Sequence, residues 1–276
     1  MKDKNIDQVT VKSFGDEWAR HDQSDITNSE LQKVFDQYFS IFNWDDISHS
    51  SEGFDMGCGT GRWANFVAPK VKLLNCIDPS DALKISIKNL SHHGNIKYIS
   101  GSANINGLNE ASQDFGYSLG VLHHIPDTQE ALNSCSKLLK SGAPFLVYLY
   151  YRFDNRGFIY RLIWKGSDIL RSLISFLPSV LKNFITDILA LLIYFPLAKI
   201  SKLFEFFKIN PRFIPLSFYR NHSFKTMRTD SRDRFGTPLE QRFTKIEIEN
   251  MMKIAGFEKI SFSDKEPYWV ALGYKI

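Results

Sequence analysis

Three glycines stand at alternate positions in the sequence GFDMGCGTGRWANF, residues 53–66, between a short apolar run and a segment with helical spacing. Gly57, Gly59 and Gly61 form the pattern Gly-x-Gly-x-Gly. A glycine-rich turn between a strand and a helix lets a ligand approach the backbone closely, at the carboxyl edge of a sheet. Dinucleotide-binding turns follow Gly-x-Gly-x-x-Gly, and Arg62 stands where their third glycine would fall. The turn therefore predicts a binding site, and its spacing disfavours a dinucleotide.

Two acidic residues accompany this turn. Asp55 lies two positions before Gly57, where its carboxylate would repel a pyrophosphate but could accept a hydrogen bond from an amine. Asp78 ends the next apolar run, about 20 residues beyond the first glycine, a position suited to accepting from ribose hydroxyls. It could also cap the helix that follows. The predicted ligand is cationic or neutral near the turn.

His123 and His124 follow a further apolar run, at the edge of the sheet where ligands bind. At least one of the two rings is expected to point towards the site. The alternative is that one ring packs in the core and the other is solvated.

The three cysteines, Cys58, Cys76 and Cys135, are odd in number, widely spaced and set in apolar surroundings, so neither a disulfide framework nor a metal site is predicted.

Seven short apolar runs bounded by turn residues predict strands, and several of the segments between them have helical spacing. The runs are residues 53–56, 73–77, 96–100, 115–119, 144–150, 257–262 and 268–274. This alternation implies an α/β protein with a doubly wound, mostly parallel sheet and helices on both faces. Gly256 is expected at the C-terminal cap of a helix over 244–255.

The alternation of strands and helices stops after the fifth run. This interruption predicts a cofactor-binding α/β domain over 1–150 and 229–276 and a helical insertion over 151–228. Residues 152–228 carry 13 Lys and Arg against 4 Asp and Glu, a net charge of +9, whereas the whole chain has a net charge of +4. The longest uncharged runs, 172–181 and 188–198, are shorter than the roughly 18 residues of a membrane span, and each is expected to be broken by a proline, Pro178 or Pro196, so no bilayer crossing is predicted. Basic helices rich in Leu and Phe can lie on an anionic membrane surface or cover a substrate pocket. Alternatively, the helices pack on one another and leave their lysines in solvent.

With these motifs the sequence resembles the class I S-adenosylmethionine-dependent methyltransferases. The resemblance rests on FDMGCGTGRWA, LLNCIDPS, DFGYSLGVLHHIPD and AGFEKI, and it covers roughly residues 50–150 and 238–276. It implies a Rossmann-like, mostly parallel seven-stranded sheet that binds S-adenosylmethionine, with the helical insertion after the fifth strand. The implied reaction is methyl transfer to a small or amphiphilic acceptor.

The resemblance also implies a set of site residues. The glycine turn would hold the methionine part of the cofactor, Asp78 the ribose, and residues after the third strand the adenine, where Ser102 and Ala103 replace the acidic residue that the family often has. Trp18 stands four residues after Phe14 on a predicted helix, a spacing that fits either core packing or the N-terminal helix that often closes over the cofactor in this family. The complete predicted cofactor site is Trp18, Asp55, Gly57, Cys58, Gly59, Gly61, Asp78, Pro79, Ser102, Ala103 and Gly120.

Similar sugar-hydroxyl methyltransferases use a His at the matching LHH position as general base, which nominates His123 or His124 if the acceptor is a hydroxyl. An amine, thiol or carbon nucleophile would need less help. The insertion is predicted to act as a lid that selects the substrate. The predicted substrate contacts are Tyr151, Tyr219, Arg220 and Arg228.

Two other functions stay open at this point: a non-catalytic S-adenosylmethionine-binding module that tethers an assembly to a membrane, and an NAD-dependent oxidoreductase, which Arg62 and Asp55 disfavour. A nucleic-acid methyltransferase is less expected, because no NPPY-like or Pro-Cys motif occurs at the fourth strand.

Residues 1–11 have no signal-peptide character, and with the cysteine usage they favour a cytoplasmic location, with peripheral membrane contact as a further expectation.

Overall fold

A computed structural model describes residues 3–20 and 27–276. The chain divides into two compact units. The first, called here the sheet domain, comprises Leu31–Arg152 and Leu239–Ile276 together with residues 3–20. The second, called here the helical insertion, comprises Phe153–Pro238 together with residues 27–30. The insertion was predicted to end at residue 228; the division falls after Pro238.

The sheet domain contains one seven-stranded sheet, as predicted. Its strands are β1 (Glu52–Met56), β2 (Leu73–Asp78), β3 (Ile96–Ser100), β4 (Phe115–Leu119), β5 (Pro144–Tyr148), β6 (Phe257–Phe262) and β7 (Val270–Lys275). They lie in the order β3-β2-β1-β4-β5-β7-β6. β1 to β5 pair in parallel, and β7 runs antiparallel to both β5 and β6. The prediction of a doubly wound, mostly parallel, Rossmann-like sheet is confirmed.

The α-helices are, in chain order, α1 (Gln8–Arg20), α2 (Asn28–Tyr38), α3 (Ala64–Val67), α4 (Ala82–Asn89), α5 (Thr128–Leu138), α6 (Phe158–Ser175), α7 (Ser179–Leu189), α8 (Phe195–Phe206), α9 (Phe224–Gly236) and α10 (Lys245–Ile254). In the sheet domain two apolar clusters form the core. One gathers around Phe39 and Tyr117, and the other contains Leu132 of α5 and Met252 of α10. Gly256 follows α10 with a φ of +83°, as the C-cap prediction requires.

The helical insertion contains α6 to α9, and α9 packs on α7 and α6. A π-helical turn, Ala190–Tyr194, joins α7 to α8, so that Ser179–Phe206 is one helix of 28 residues. The prediction that Pro196 interrupts the apolar run is wrong. Proline lacks an N–H donor and crowds the preceding turn, and the wider π-helical turn just before it accommodates both effects. Judged only by its length and composition, this helix is long and apolar enough to cross a membrane.

Candidate cofactor and active site

The glycine turn begins directly after β1, at the carboxyl edge of the sheet. Gly57, Gly59 and Gly61 all have positive φ angles, of 82°, 53° and 82°. A Cβ atom at Gly57 would overlap the Val121 side chain, and one at Gly61 would overlap Leu90. A Cβ at Gly59 would meet only the Trp18 indole, 3.7 Å from its Nε1, among the described residues. The outer two glycines therefore tighten the turn, and the middle one leaves its backbone accessible beneath Trp18.

Gly120 directly follows β4, the strand next to β1, and has a φ of +79°. A Cβ atom built there would meet no atom within 4 Å in the part of the chain that the structure describes. Its amide donates to the Tyr148 carbonyl at 3.0 Å, which ties β4 to β5 at this edge. Open space therefore lies beside two neighbouring strand ends.

Asp55 lies on β1, opposite Cys76 of β2 and Tyr117 of β4, and only 1% of its surface is exposed. Burial raises the pKa of this carboxyl to about 8; the nearby Tyr117 hydroxyl opposes the rise, and the negative charge of Asp78 adds to it. Its Oδ2 atom has no hydrogen-bond partner among residues 3–20 and 27–276. A buried carboxyl oxygen without a donor is costly, and a cationic amine would satisfy it.

Asp78 ends β2 and ties the glycine turn to the start of α4. Its Oδ2 accepts from the Gly59 amide at 2.9 Å, and its Oδ1 accepts from the Ser80 amide at 2.8 Å and the Ser80 hydroxyl at 2.6 Å. Burial raises the pKa of this carboxyl. Pro79 is exposed beside it. The structure therefore places Asp78 against the glycine turn, and its contact with a ribose stays a prediction.

Ser102 and Ala103 follow β3 and have different surroundings. The Ser102 hydroxyl donates to the Asp3 carboxylate, whereas Ala103 is buried in the apolar cluster that contains Ile77 and Leu122. Sequence reasoning did not single out Asp3, because it lies 99 residues away in the chain and no motif surrounds it. The structure thus brings an acidic side chain to the place where the family resemblance expects one.

Helix α1 spans this edge of the sheet. The Phe14 ring lies 4.9 Å from the His124 ring, Gly15 lies beside Asp81 after β2, and Trp18 lies over Gly59. The Arg62 guanidinium packs on the Trp18 ring at 5.3 Å. The i,i+4 spacing of Phe14 and Trp18 indicates either core packing or cofactor contact; the structure places Phe14 beside His124 and Trp18 over Gly59, and contact with a cofactor stays a prediction.

The two histidines lie in a short 3₁₀ helix after β4 and are both buried. His124 Nδ1 lies 2.6 Å from the Leu239 carbonyl oxygen. A carbonyl only accepts, so Nδ1 carries the proton and Nε2 keeps its lone pair. His123 Nδ1 instead accepts from the Tyr150 amide at 3.4 Å, which puts its proton on Nε2. The two neighbouring rings therefore hold opposite tautomers.

His123 is a poor base. It has no exposed surface, and its ring stacks on Tyr150 at 3.9 Å. Burial lowers the pKa of His123 well below its ordinary value, and electrostatic interaction with the neighbouring His124 and Arg242 side chains is a smaller cause. Of the two predicted bases, His124 has the tautomer that can take a proton from an acceptor, because its backbone partner fixes Nδ1 as the donor.

The predicted substrate residues have partners of their own. Tyr151 bridges to Phe243 in the sheet domain. In the insertion, Tyr219 packs 5.3 Å from Tyr194, Arg220 pairs with Glu205 at 2.9 Å, and Arg228 makes two bonds of 3.0 and 2.9 Å to Asp187. Both arginine charges are therefore compensated within the insertion, and their contact with a substrate stays a prediction. In the described part of the chain no cluster of His, Cys, Asp and Glu could hold a metal ion.

Comparison with known proteins finds similarity to methyltransferases. Residues 54–147 match the family model of the methyltransferase domain. The chain is similar to the ubiquinone biosynthesis O-methyltransferase of Coxiella burnetii, with 22% identity in an alignment 185 residues long. The match covers 60% of this chain and 76% of the relative.

Two solved structures have a similar fold. One is a protein from Nostoc punctiforme that is provisionally classed as an O-methyltransferase. The match covers 94% of this chain and 60% of that chain, at 15% identity and a TM-score of 0.52. A chain in the complex of the Haloferax volcanii Trm112 methyltransferase activator with a provisionally assigned methyltransferase aligns over 95% and 97% at 11% identity, also with a TM-score of 0.52. At such identities the likeness concerns the fold.

The sheet order, the glycine turn and the match of residues 54–147 to the methyltransferase domain together support a class I methyltransferase with a Rossmann-like fold.

Proposed function

We propose that this protein transfers the methyl group of S-adenosylmethionine to a hydroxyl of a small, amphiphilic acceptor, with His124 as general base. The observation that carries the proposal is the 2.6 Å contact between His124 Nδ1 and the Leu239 carbonyl, which leaves Nε2 able to accept a proton. The similarity to an O-methyltransferase of Coxiella burnetii supports an oxygen nucleophile.

The residues at the carboxyl edge fit the cofactor. Asp55 offers an unsatisfied, buried carboxyl oxygen for the amino group, and Asp78 lies at the glycine turn for the ribose hydroxyls. Gly59 and Gly120 leave space for close approach of a ligand to the backbone. Asp3, held by Ser102, supplies an acceptor for the adenine amine. When bound, the cofactor supplies a methyl group on a sulfonium, which is already a reactive donor.

The protein then has to align the acceptor, exclude water and remove one proton. Trp18 and Phe14 of α1 bring apolar surface to the site, which excludes water. His124 Nε2 accepts the hydroxyl proton as the oxygen attacks, and the Leu239 carbonyl stabilises the resulting imidazolium through Nδ1. His123 is a positioning residue, because its contact with the Tyr150 amide fixes the 3₁₀ helix that carries His124.

The test is methyl transfer from labelled S-adenosylmethionine to a phenol, an alcohol and an amine with the same alkyl tail. We expect transfer to at least one of the two hydroxyl compounds. His124→Gln should lower turnover about 100-fold or more, since a well-placed base contributes factors of about 10² to 10⁴, and should leave cofactor affinity unchanged.

The matched control is His123→Gln, which keeps a polar side chain in the adjacent position and should lower turnover by less than about tenfold. Loss of the His124 base should also remove the rise in rate with pH that titration of an imidazole produces. Transfer to the amine alone, or full activity of His124→Gln, would contradict the proposal.

A further inference from the structure

The helical insertion exposes most of the apolar surface of the protein. Of 28 large apolar side chains that are exposed among the described residues, 22 lie within residues 158–213. Several are almost fully exposed: Phe176 at 81%, Val180 at 80% and Phe206 at 79%. Single exposed apolar residues are normal on a soluble protein, but so dense a group marks a surface that contacts something apolar.

The exposed residues form a continuous stripe on each of two helices. On α6 they include Phe158, Leu162, Ile169, Leu173 and, just after the helix, Phe176. On the helix Ser179–Phe206 they include Val180, Phe184, Ile188, Leu191 and Phe195. Steps of three, four and seven residues keep side chains on one helical face. Each helix therefore presents one apolar face outward.

The opposite side of Ser179–Phe206 is polar or small. Its buried positions recur every four residues: Lys182, Thr186, Ala190, Tyr194 and Ala198. This side packs on α9, which is itself polar.

Specific polar contacts join the two helices. Lys182 donates to the Gly236 carbonyl at 3.1 Å, Ser231 to the Thr186 carbonyl at 2.8 Å, and Arg232 to Asn183 at 2.9 Å. Arg232 is 1% exposed. Beside these polar groups the insertion buries a small apolar cluster of Ile174, Tyr194, Ala198, Met227 and Phe235, while 22 of its large apolar side chains are exposed. So large an exposed apolar surface is the arrangement expected where the outer face contacts lipid.

The charge of the insertion identifies the kind of lipid. Residues 152–228 have a net charge of +9, and six basic side chains with exposed surfaces lie along the apolar helices and just after them: Arg161, Lys165, Lys199, Lys202, Lys208 and Arg212. An anionic bilayer surface attracts such residues, whereas a second copy of the same face would bring like charges together.

We propose that the helical insertion docks on an anionic lipid bilayer, with the outer faces of α6 and of Ser179–Phe206 lying in one leaflet, parallel to the membrane plane. The polar inner side argues against crossing: Lys182 and Asp187 lie within the helix Ser179–Phe206, and Arg228, the ion-pair partner of Asp187, lies with Arg232 on α9 beside it. The inference does not depend on the identity of the methyl acceptor.

Vesicle flotation tests the docking. The protein is mixed with phosphatidylcholine vesicles or with vesicles that also contain phosphatidylglycerol. We expect flotation with the anionic vesicles that weakens as salt is raised. The variant Leu173→Glu, Phe184→Glu, Leu191→Glu changes three residues that are 67%, 64% and 54% exposed and should abolish flotation. The control, Ile246→Glu with Ile254→Glu, changes two sheet-domain residues that are each 70% exposed and should float normally.

A charge series makes the test independent of the apolar substitutions. Lys199→Gln, Lys202→Gln and Lys208→Gln together should lower binding to anionic vesicles on the order of 100-fold, because each basic residue near such a surface contributes about fivefold. The control substitutes Lys33, Lys88 and Lys97 by Gln and should change binding little. Unchanged affinity for S-adenosylmethionine would show that every variant is folded.

Three results would overturn the proposal. The first is no flotation of the unaltered protein under any salt condition. The second is a homodimer that the triple Glu variant dissociates without any vesicle binding, which assigns the face to a second copy. The third is resistance to alkaline carbonate extraction, which assigns a membrane-crossing helix instead of a docked one.

Discussion

The sheet domain and the helical insertion differ in how much apolar surface they expose. In the sheet domain Phe115, Phe145 and Leu146 have no exposed surface. In the insertion Arg232 is 1% exposed, while Leu192 is 66% exposed. Both units are built from amphipathic helices, so helical periodicity alone does not say which face points to solvent. The comparison shows that the surface against which a helix packs decides which of its faces is buried.

The buried polar groups of the two units also differ. In the insertion Arg228 pairs with Asp187, and Lys182 donates to the Gly236 carbonyl. In the sheet domain Asp55 Oδ2 and His123 Nε2 are buried without a hydrogen-bond partner among the described residues. Unsatisfied buried groups are rare and cluster at functional sites. The chemistry of this protein is therefore expected in the sheet domain.

The largest expected difference between the two units concerns the free energy of unfolding. Leu146→Ala should lower the free energy of unfolding by about 3 kcal/mol, since it removes buried methyl groups and leaves a cavity. Leu192→Ala, at an exposed position of the same residue type, should change it by less than about 0.5 kcal/mol in the absence of lipid. Urea unfolding followed by circular dichroism measures both. Equal losses would mean that the outer face of the insertion is part of a core.

A smaller effect concerns Asp78. Asp78→Ala should weaken S-adenosylmethionine binding about tenfold or more, because about two hydrogen bonds to the ribose are lost, and isothermal titration calorimetry measures the change. Asp78 also holds the Gly59 amide and Ser80. Ser80→Ala serves as the control, since it removes a Ser80 contact and leaves the carboxylate. If both variants bind alike, Asp78 acts only through the turn.

The pH dependence of cofactor binding sharpens the assignment of Asp55. Because its pKa in the free protein is raised to about 8, the carboxyl is largely protonated at neutral pH and must lose its proton to pair with a cationic amine. Affinity should therefore rise with pH up to about 8, by up to about tenfold per pH unit. Asp55→Asn should remove this component, and the difference between the two proteins is the quantity to measure. A parallel pH profile in both would exclude Asp55 from amine binding.

The smallest expected effect is the loss of stability in acid caused by His123. Its pKa is lowered well below 6.5 in the folded state, so below pH 6.5 the unfolded chain binds more protons than the folded one. The free energy of unfolding should therefore fall as the pH drops below 6.5, by at most about 1.4 kcal/mol per pH unit for one group. His123→Gln should flatten this slope. A midpoint of urea unfolding that changes equally with pH in both proteins would show that other groups dominate.

Much of the fold could be predicted from the sequence because local patterns specify it. Alternating apolar runs and helical segments gave all seven strands within two residues, and the positive φ angles of Gly57, Gly59 and Gly61 follow from the glycine spacing. The Pro196 prediction failed because the π-helical turn before it accommodates the ring. The contact of Ser102 with Asp3 and the Leu239 carbonyl at His124 were out of reach, since each joins distant parts of the chain.

By itself the sequence determined the sheet, the glycine turn, the acids at Asp55 and Asp78, and the two adjacent histidines, because each depends on residue type and short-range spacing. Only the tertiary structure decided between those histidines, since a backbone carbonyl of Leu239, 115 residues away, fixes the tautomer of His124. It also decided which face of the insertion is buried. The sequence of Ser179–Phe206 contains both a polar and an apolar side, and the polar helix α9 selects the polar one because its charged groups must be paired when they leave water.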